Sequence, residues 1–293
     1  MTGGSVRRGF PHKRVLSGIA AVLGTALVLW VGLPLLAPVW LILVVVALHE
    51  YAQMLKLRGI PIRLRSLWVT APLTLVAALP ADMLAGLGLP AVIGENTSWR
   101  ELLLVLTAVY LVVLELIRPN RNSLNSVVFS LFGYVYIPWL YSFMITLRYV
   151  PDSQTGIWSL ALPLLAVVAS DVGAYTIGSL FGRRKLAPGI SPNKTVEGAI
   201  GGLAFSVIFV TGLHWLGSSI VDMSVNLVNL VIFALVVGAA GQAGDLFESL
   251  LKRWVGVKDS GRFLPGQGGV LDRIDSHLFA VAFSYLFITL FAF

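Results

Sequence analysis

Nine apolar runs, most of them close to 20 residues long, fill this 293-residue chain and leave only short polar segments between them. They lie at roughly 15–32, 34–54, 67–83, 101–117, 124–147, 157–180, 196–217, 225–243 and 276–293. A helix needs about 20 mostly apolar residues to cross a bilayer. In hydrocarbon every backbone N–H and C=O must be satisfied within the protein, which leaves helices as the solution for runs of this length. Only 12% of the residues are charged, against about 25% in soluble domains. The expected fold is therefore an all-α polytopic membrane protein with about nine transmembrane helices. Leu33-Pro34 is the only break between the first two runs, which predicts a tight hairpin there. Residues 84–94 are apolar but broken by Gly and Pro, and are expected to dip into the interface.

The bases give the orientation. With the N-terminus inside, nineteen of the 21 Lys and Arg fall on the inner side, leaving only Arg100 and Arg148 outside. Positive loops favour the cytoplasm. The reading that follows is a cytoplasmic segment at 1–14, an N-terminal transmembrane region at 15–156, and a C-terminal region at 157–293 with cytoplasmic loops at 181–195 and 244–275. The opening MTGGSVRRGFPHKR resembles the start of a signal peptide, but it lacks a small-residue cleavage site and is expected to precede a retained first span. The net charge of +7 is then a topology signal, with some attraction for anionic lipid, and nucleic acid is excluded as a partner. Absence of cysteine excludes disulfides and thiolate metal sites.

One stretch departs from the apolar pattern. Between Asp245 and Asp275 stand five acids (Asp245, Glu248, Asp259, Asp272, Asp275) and five bases (Lys252, Arg253, Lys258, Arg262, Arg273). If helical, Asp245, Glu248, Ser249 and Lys252 share one stripe, at i, i+3, i+4 and i+7. The plainer reading is a wet helix end. KDSGRFLPGQGG follows, its four glycines suiting a loop that approaches a ligand closely. Asp272 and Asp275 then stand three apart at a helix start, where they either cap the helix or, with Asp245, offer hard oxygens to Mg²⁺.

A second constellation, GRRKLAPGISPNKTVEGAIGG, lies after the sixth run. Ser191-Pro192 reads as a cap and first helical residue, placing Lys194 and Thr195 in a first turn that favours an anion. Glu197 also belongs to this group; Arg183 to Lys185 are explained by loop position alone. Asp171 sits ten residues into the sixth span, roughly 15 Å deep, where an ionisable group marks function by default. Glu50 and Glu115 stand near cytoplasmic span ends with function and structure evenly balanced, and the histidines have no ligand-like spacing. Carboxylates, lysines and a helix start beside the lipid suit metal-assisted phosphoryl or nucleotidyl transfer.

These residues resemble a known family. Ser249-x-Leu251-Lys252-Arg253, Lys258-Asp259-x-Gly261, Leu264-Pro265 and Gly268-Gly269-x-x-Asp272-Arg273-x-Asp275 together are similar to the signature of phosphatidate cytidylyltransferases. SDVGAYTIGSLFGRRKLAPGISPNKTVEGAIGG resembles that family's second block, and His49-Glu50-Tyr51-Ala52-Gln53 does so more weakly. The resemblance implies an enzyme joining CTP and phosphatidic acid into CDP-diacylglycerol and pyrophosphate. It implies a homodimer in the inner (cytoplasmic) membrane, with Mg²⁺, and K⁺ as a candidate second ion, near Asp245 and Asp272. Asp245, Asp272 and Lys194 take the catalytic roles on this reading. The residues expected to bind substrate are Asp171, Ser191, Thr195, Glu197, Glu248, Ser249, Lys252, Arg253, Lys258, Asp259, Gln267, Arg273 and Asp275. Gln267 stands where the family signature has histidine in PGHGG. If that histidine moves protons the change slows this chain; if it orients a phosphate, little changes. A CTP-dependent lipid kinase is the alternative activity, and a transporter the alternative from another class.

Overall fold

The computed structural model describes residues 23–93, 97–150, 155–217, 225–261 and 268–291. Gln267 and Arg262 lie outside the described residues, as do residues 15–22 of the first apolar run. Among the described residues the regular structure is helical apart from one two-stranded hairpin. After α1, described over 23–31, come α2 (Leu33–Leu57), α3 (Leu64–Ala77), α4 (Ala81–Gly86), α5 (Trp99–Ile117) and α6 (Ser123–Tyr134). A π-helical turn (Val135–Trp139) joins α6 to α7 (Leu140–Leu147). Then follow α8 (Gly156–Phe181), strands β1 (Lys185–Ala187) and β2 (Ser191–Thr195), α9 (Val196–Gly217), α10 (Leu227–Val255) and α11 (Leu271–Phe291).

Among the described residues, six helical stretches are long and apolar enough to cross a bilayer: 33–57, 123–147, 156–181, 196–216, 227–255 and 271–291. The chain breaks at Gly32, whose φ of 76° turns α1 into α2 beside the predicted Leu33-Pro34 boundary. The helix found at the expected span 67–83 is shorter than the run predicts. This helix, α3, has 14 residues and ends before Pro80, which lacks the N–H needed to continue it. At 1.5 Å per residue α3 reaches only about 21 Å, short of the roughly 30 Å hydrocarbon core. The 244–275 segment is also less of a loop than expected. α10 continues to Val255 and α11 begins at Leu271, so among the described residues of this segment only 256–261 and 268–270 lie outside helices.

α2 buries one face, Leu36, Trp40, Val44, Leu48, Tyr51 and Leu55, a stripe at helical spacing. Trp40 Nε1 donates to the Tyr141 carbonyl at 2.9 Å and the Tyr51 hydroxyl to that of Phe129 at 2.9 Å, tying α2 to α7 and α6. Pro138 lies within the π turn, whose wider ring accommodates a residue with no N–H to give. Glu115 accepts from Arg63 Nε at 2.7 Å, from Ser126 Oγ at 2.5 Å and from Asn120 Nδ2 at 3.0 Å, fastening the turn after α5 to the start of α3. It is a structural carboxylate.

α8 and α9 pack along a glycine seam. A side chain at Gly173 would meet Phe205 and the Gly201 carbonyl, one at Gly201 would meet Ile177, and one at Gly202 would meet Ser170 and Gln242. Small residues let helix backbones approach closely in membranes. Gly201→Leu is therefore expected to wedge the pair apart and destabilise the fold by about 1–3 kcal/mol. A lowered unfolding midpoint of the purified variant checks this.

Candidate active site

The predicted stripe on α10 is present, and it meets two different walls. At its membrane-side end, Asp245 Oδ2 pairs with Lys194 Nζ at 2.5 Å, and Ser249 Oγ lies 3.5 Å from Asp245 Oδ1. Two turns further on, Lys252 pairs with Glu248 and, at 2.7 Å, with Asp272 Oδ1. Glu248 is 0% exposed, and Lys252 is the base that pairs with it. Helical spacing put these groups in line; the partners come from elsewhere in the chain.

The wall that supplies Lys194 differs from expectation. Ser191–Thr195 is a strand, paired antiparallel with Lys185–Ala187, and Ser191-Pro192 does not start a helix. Pro192 is acceptable on a two-stranded hairpin, where every strand is an edge. α9 starts at Val196, and Thr195 is its cap: Gly198 N donates to Thr195 Oγ1 at 3.1 Å. Glu197 turns back and accepts from Arg183 N at 3.0 Å and Arg184 N at 3.1 Å, closing the base of the hairpin. Lys194 projects from β2, not from a first turn, and the start of α9 is satisfied by the protein's own groups.

The second wall is a knot of two carboxylates. Asp272 accepts from Ser260 N at 3.0 Å and Gly269 N at 2.8 Å as well as from Lys252. Glu50, from α2, accepts from Val270 N at 3.0 Å, Leu271 N at 2.8 Å and Ser260 Oγ at 3.1 Å. The donors at the start of α11 are thus filled from within, Val270 N and Leu271 N by Glu50 and Asp272 N by Ser260 Oγ, a favourable place for an anion. A side chain at Gly261 or Gly269 would run into the Glu50 carboxylate, which is why this loop needs glycine there. Glu50 and Ser260 were not among the expected site residues. In the sequence Glu50 stood out as an acid near a span end and as part of the weakly family-like His49–Gln53 run, without a role.

Between α8, α9, α10 and the hairpin lies a cavity of about 420 Å³, lined by Asp171, Tyr175, Lys194, Thr195, Gln242 and Asp245 among others. That volume falls in the usual range for small-molecule sites, roughly 300–1,000 Å³. Gln242 Nε2 donates to Ser170 Oγ and to the Ala199 carbonyl, both at 3.0 Å, and braces the cavity floor. Asp275 is buried and accepts from Ser276 N at 2.6 Å. Other expected residues are not gathered here. Arg253 donates to the Ile190 and Val257 carbonyls, both at 3.3 Å, holding the hairpin against α10. Lys258, Asp259 and Arg273 are exposed on the neighbouring surface, and Ser191 sits at the start of β2.

The donor set fits Mg²⁺ in one particular way. Among the described residues, no group of three or more acidic or histidine side chains is placed to hold an ion alone. Asp245 opens on the cavity with a side chain 32% exposed, whereas both Asp272 oxygens are already engaged. Mg²⁺ is typically held by one or two carboxylates together with substrate phosphates and water. The cavity suits an ion that arrives with phosphates, not a closed protein cage.

Comparison with known proteins agrees with this chemistry. A sequence model of the cytidylyltransferase family matches residues 12–291. A phosphatidate cytidylyltransferase of Bacillus subtilis (strain 168) is 33% identical over 285 residues, covering 96% of this chain and 98% of the relative. One from Staphylococcus saprophyticus is 34% identical over 252 residues, 81% of this chain and 93% of the relative. One from Staphylococcus haemolyticus is 40% identical over 162 residues, covering 55% of this chain and 59% of the relative.

Proposed function

This chain belongs to the cytidylyltransferase family, and from that premise we propose that its cavity brings CTP and a membrane phosphatidate together at Lys194 and Asp245. The enzyme is a phosphatidate cytidylyltransferase, forming CDP-diacylglycerol and pyrophosphate. The observation that carries the reading is the Lys194–Asp245 pair on the wall of a cavity set among membrane-type helices.

In the reaction an oxygen of the lipid phosphate attacks the α-phosphorus of CTP. The new P–O bond forms as the bond to the β-phosphate bridge breaks, and its electron pair leaves with pyrophosphate. A phosphate monoester is already ionised, so no strong base is required; catalysis is positioning and charge neutralisation. Lys194 would meet the phosphates as Asp245 exchanges it for the ion. Asp245 and, by giving up one of its present donors, Asp272 would hold Mg²⁺, which supplies neutralising charge on the phosphate oxygens. K⁺ is the second ion proposed for the same carboxylate cluster. Lys252 holds Asp272 in place, and the exposed Lys258 and Arg273 extend the positive surface from which a triphosphate is gathered.

The distribution of bases supports nine spans with the N-terminus and the active site on the cytoplasmic side of the inner membrane, where CTP is available. α1, α3 and α5 would complete the nine, α3 as a short crossing met by local thinning of the bilayer. The family resemblance supports a homodimer. Orientation is directly testable because the chain has no cysteine. Gly189, at the hairpin tip, has open space where a side chain would stand. A Gly189→Cys variant is expected to react with a membrane-impermeant maleimide in inverted vesicles and to stay unlabelled in intact cells; the opposite pattern would reverse the topology.

The activity is tested by incubating purified protein with CTP, phosphatidate and Mg²⁺. CDP-lipid and pyrophosphate are expected in equal amounts, and formation of neither would remove the assignment.

A further inference from the structure

The two strong family-like blocks lie in the C-terminal half, and the loop that carries Asp272 is held by a side chain from the weaker, N-terminal one. Glu50 is 6% exposed, inside the bundle at the end of α2 nearest the loop. Its carboxylate takes Val270 N and Leu271 N on one side and Ser260 Oγ on another. Ser260 Oγ in turn accepts from Asp272 N at 3.3 Å, and Ser260 N donates to Asp272. Glu50 and Asp272 therefore grip the same serine from opposite sides and tie Ser260 to Gly269, Val270 and Leu271.

Resting on the activity proposed above, we infer that Glu50 is a positioning residue for the reaction, fixing Asp272 and the backbone of 268–271 in the orientation the phosphates require. Two features argue for a dedicated device. Three independent donors converge on one buried carboxylate, and Gly261 and Gly269 both lack a side chain at the points where one would strike it. Asparagine or glutamine cannot substitute without penalty, because an amide presents an N–H₂ to donors that require an acceptor. Filling the α11 N-terminus from within also leaves it unavailable to a substrate phosphate. The triphosphate is then directed to the lysines and the cavity.

The test compares full-length Glu50→Gln and Glu115→Gln with wild type. Both remove a buried carboxylate from the N-terminal half, but Glu115 serves only the turn after α5. Glu50→Gln is expected to lower kcat by about 10- to 100-fold, the scale seen when supporting groups around a reacting centre are lost. Its KM for phosphatidate should stay unchanged, and amide hydrogen exchange should quicken at 268–272 alone. Glu115→Gln should keep kcat per folded molecule. An unchanged kcat in Glu50→Gln overturns the inference, as does a loss that Glu115→Gln matches at equal thermal stability. If Glu50→Gln fails to fold, Ser260→Ala decides by the same kinetic split: a fall in kcat alone supports the clamp and an unaltered kcat overturns it. If wild type makes no CDP-lipid, the activity assignment falls, and the exchange comparison still judges the clamp. Faster exchange confined to 268–272 upholds it; faster exchange throughout the chain refutes it.

Discussion

Asp245→Asn is expected to reduce CDP-lipid formation by about 10²- to 10³-fold, the cost of removing one group that balances charge in a preorganised site. The substitution preserves shape and removes only the charge that would face a Mg²⁺–triphosphate and that now holds Lys194. Stability should hardly change. Asp245 and Lys194 have side chains 32% and 27% exposed, and a pair so open to its surroundings contributes only about 0–1 kcal/mol. The variant should therefore purify like wild type and unfold close to the same midpoint while its initial rate with labelled CTP collapses. Near-normal turnover would place the reacting phosphates elsewhere.

Lys252→Met is expected to act first on the fold. Lys252 pairs with Glu248, which is 0% exposed, and donates to Asp272, whose side chain is 13% exposed. Removing one partner of a buried ion pair leaves the other charge unpaired and costs roughly 3–5 kcal/mol. Most of the variant should be lost before purification, and what survives should unfold at a markedly lower temperature. Adding Glu248→Gln should recover part of that loss, because the second change removes the buried carboxylate left without its base; this is a coupling a double-mutant cycle measures. A single variant as stable as wild type would contradict the pairing.

The sequence carried the α10 stripe clearly because Asp245, Glu248, Ser249 and Lys252 obey the helical repeat, a strictly local pattern. It also carried the membrane class, since hydropathy depends on composition within one segment. What it hid depends on distant pairing. Ser191-Pro192 has the local chemistry of a helix start, and only pairing with 185–187 makes it a strand. Glu50 reaches a serine 210 residues away, and nothing in the neighbourhood of residue 50 announces that partner. The 67–83 run is apolar enough for a span, and Pro80 ends its helix early. The knot around Asp272 shows why the glycines of the loop matter: two of them clear space for a carboxylate contributed by α2.

The most direct test of the account follows phosphorus. Purified protein is given phosphatidate, Mg²⁺ and CTP labelled at either the α- or the γ-phosphate. The account predicts that α-label enters the lipid product and γ-label leaves as pyrophosphate. Label from the γ-position in the lipid, with CDP released and no pyrophosphate, would instead show a kinase and contradict cytidylyl transfer at this site.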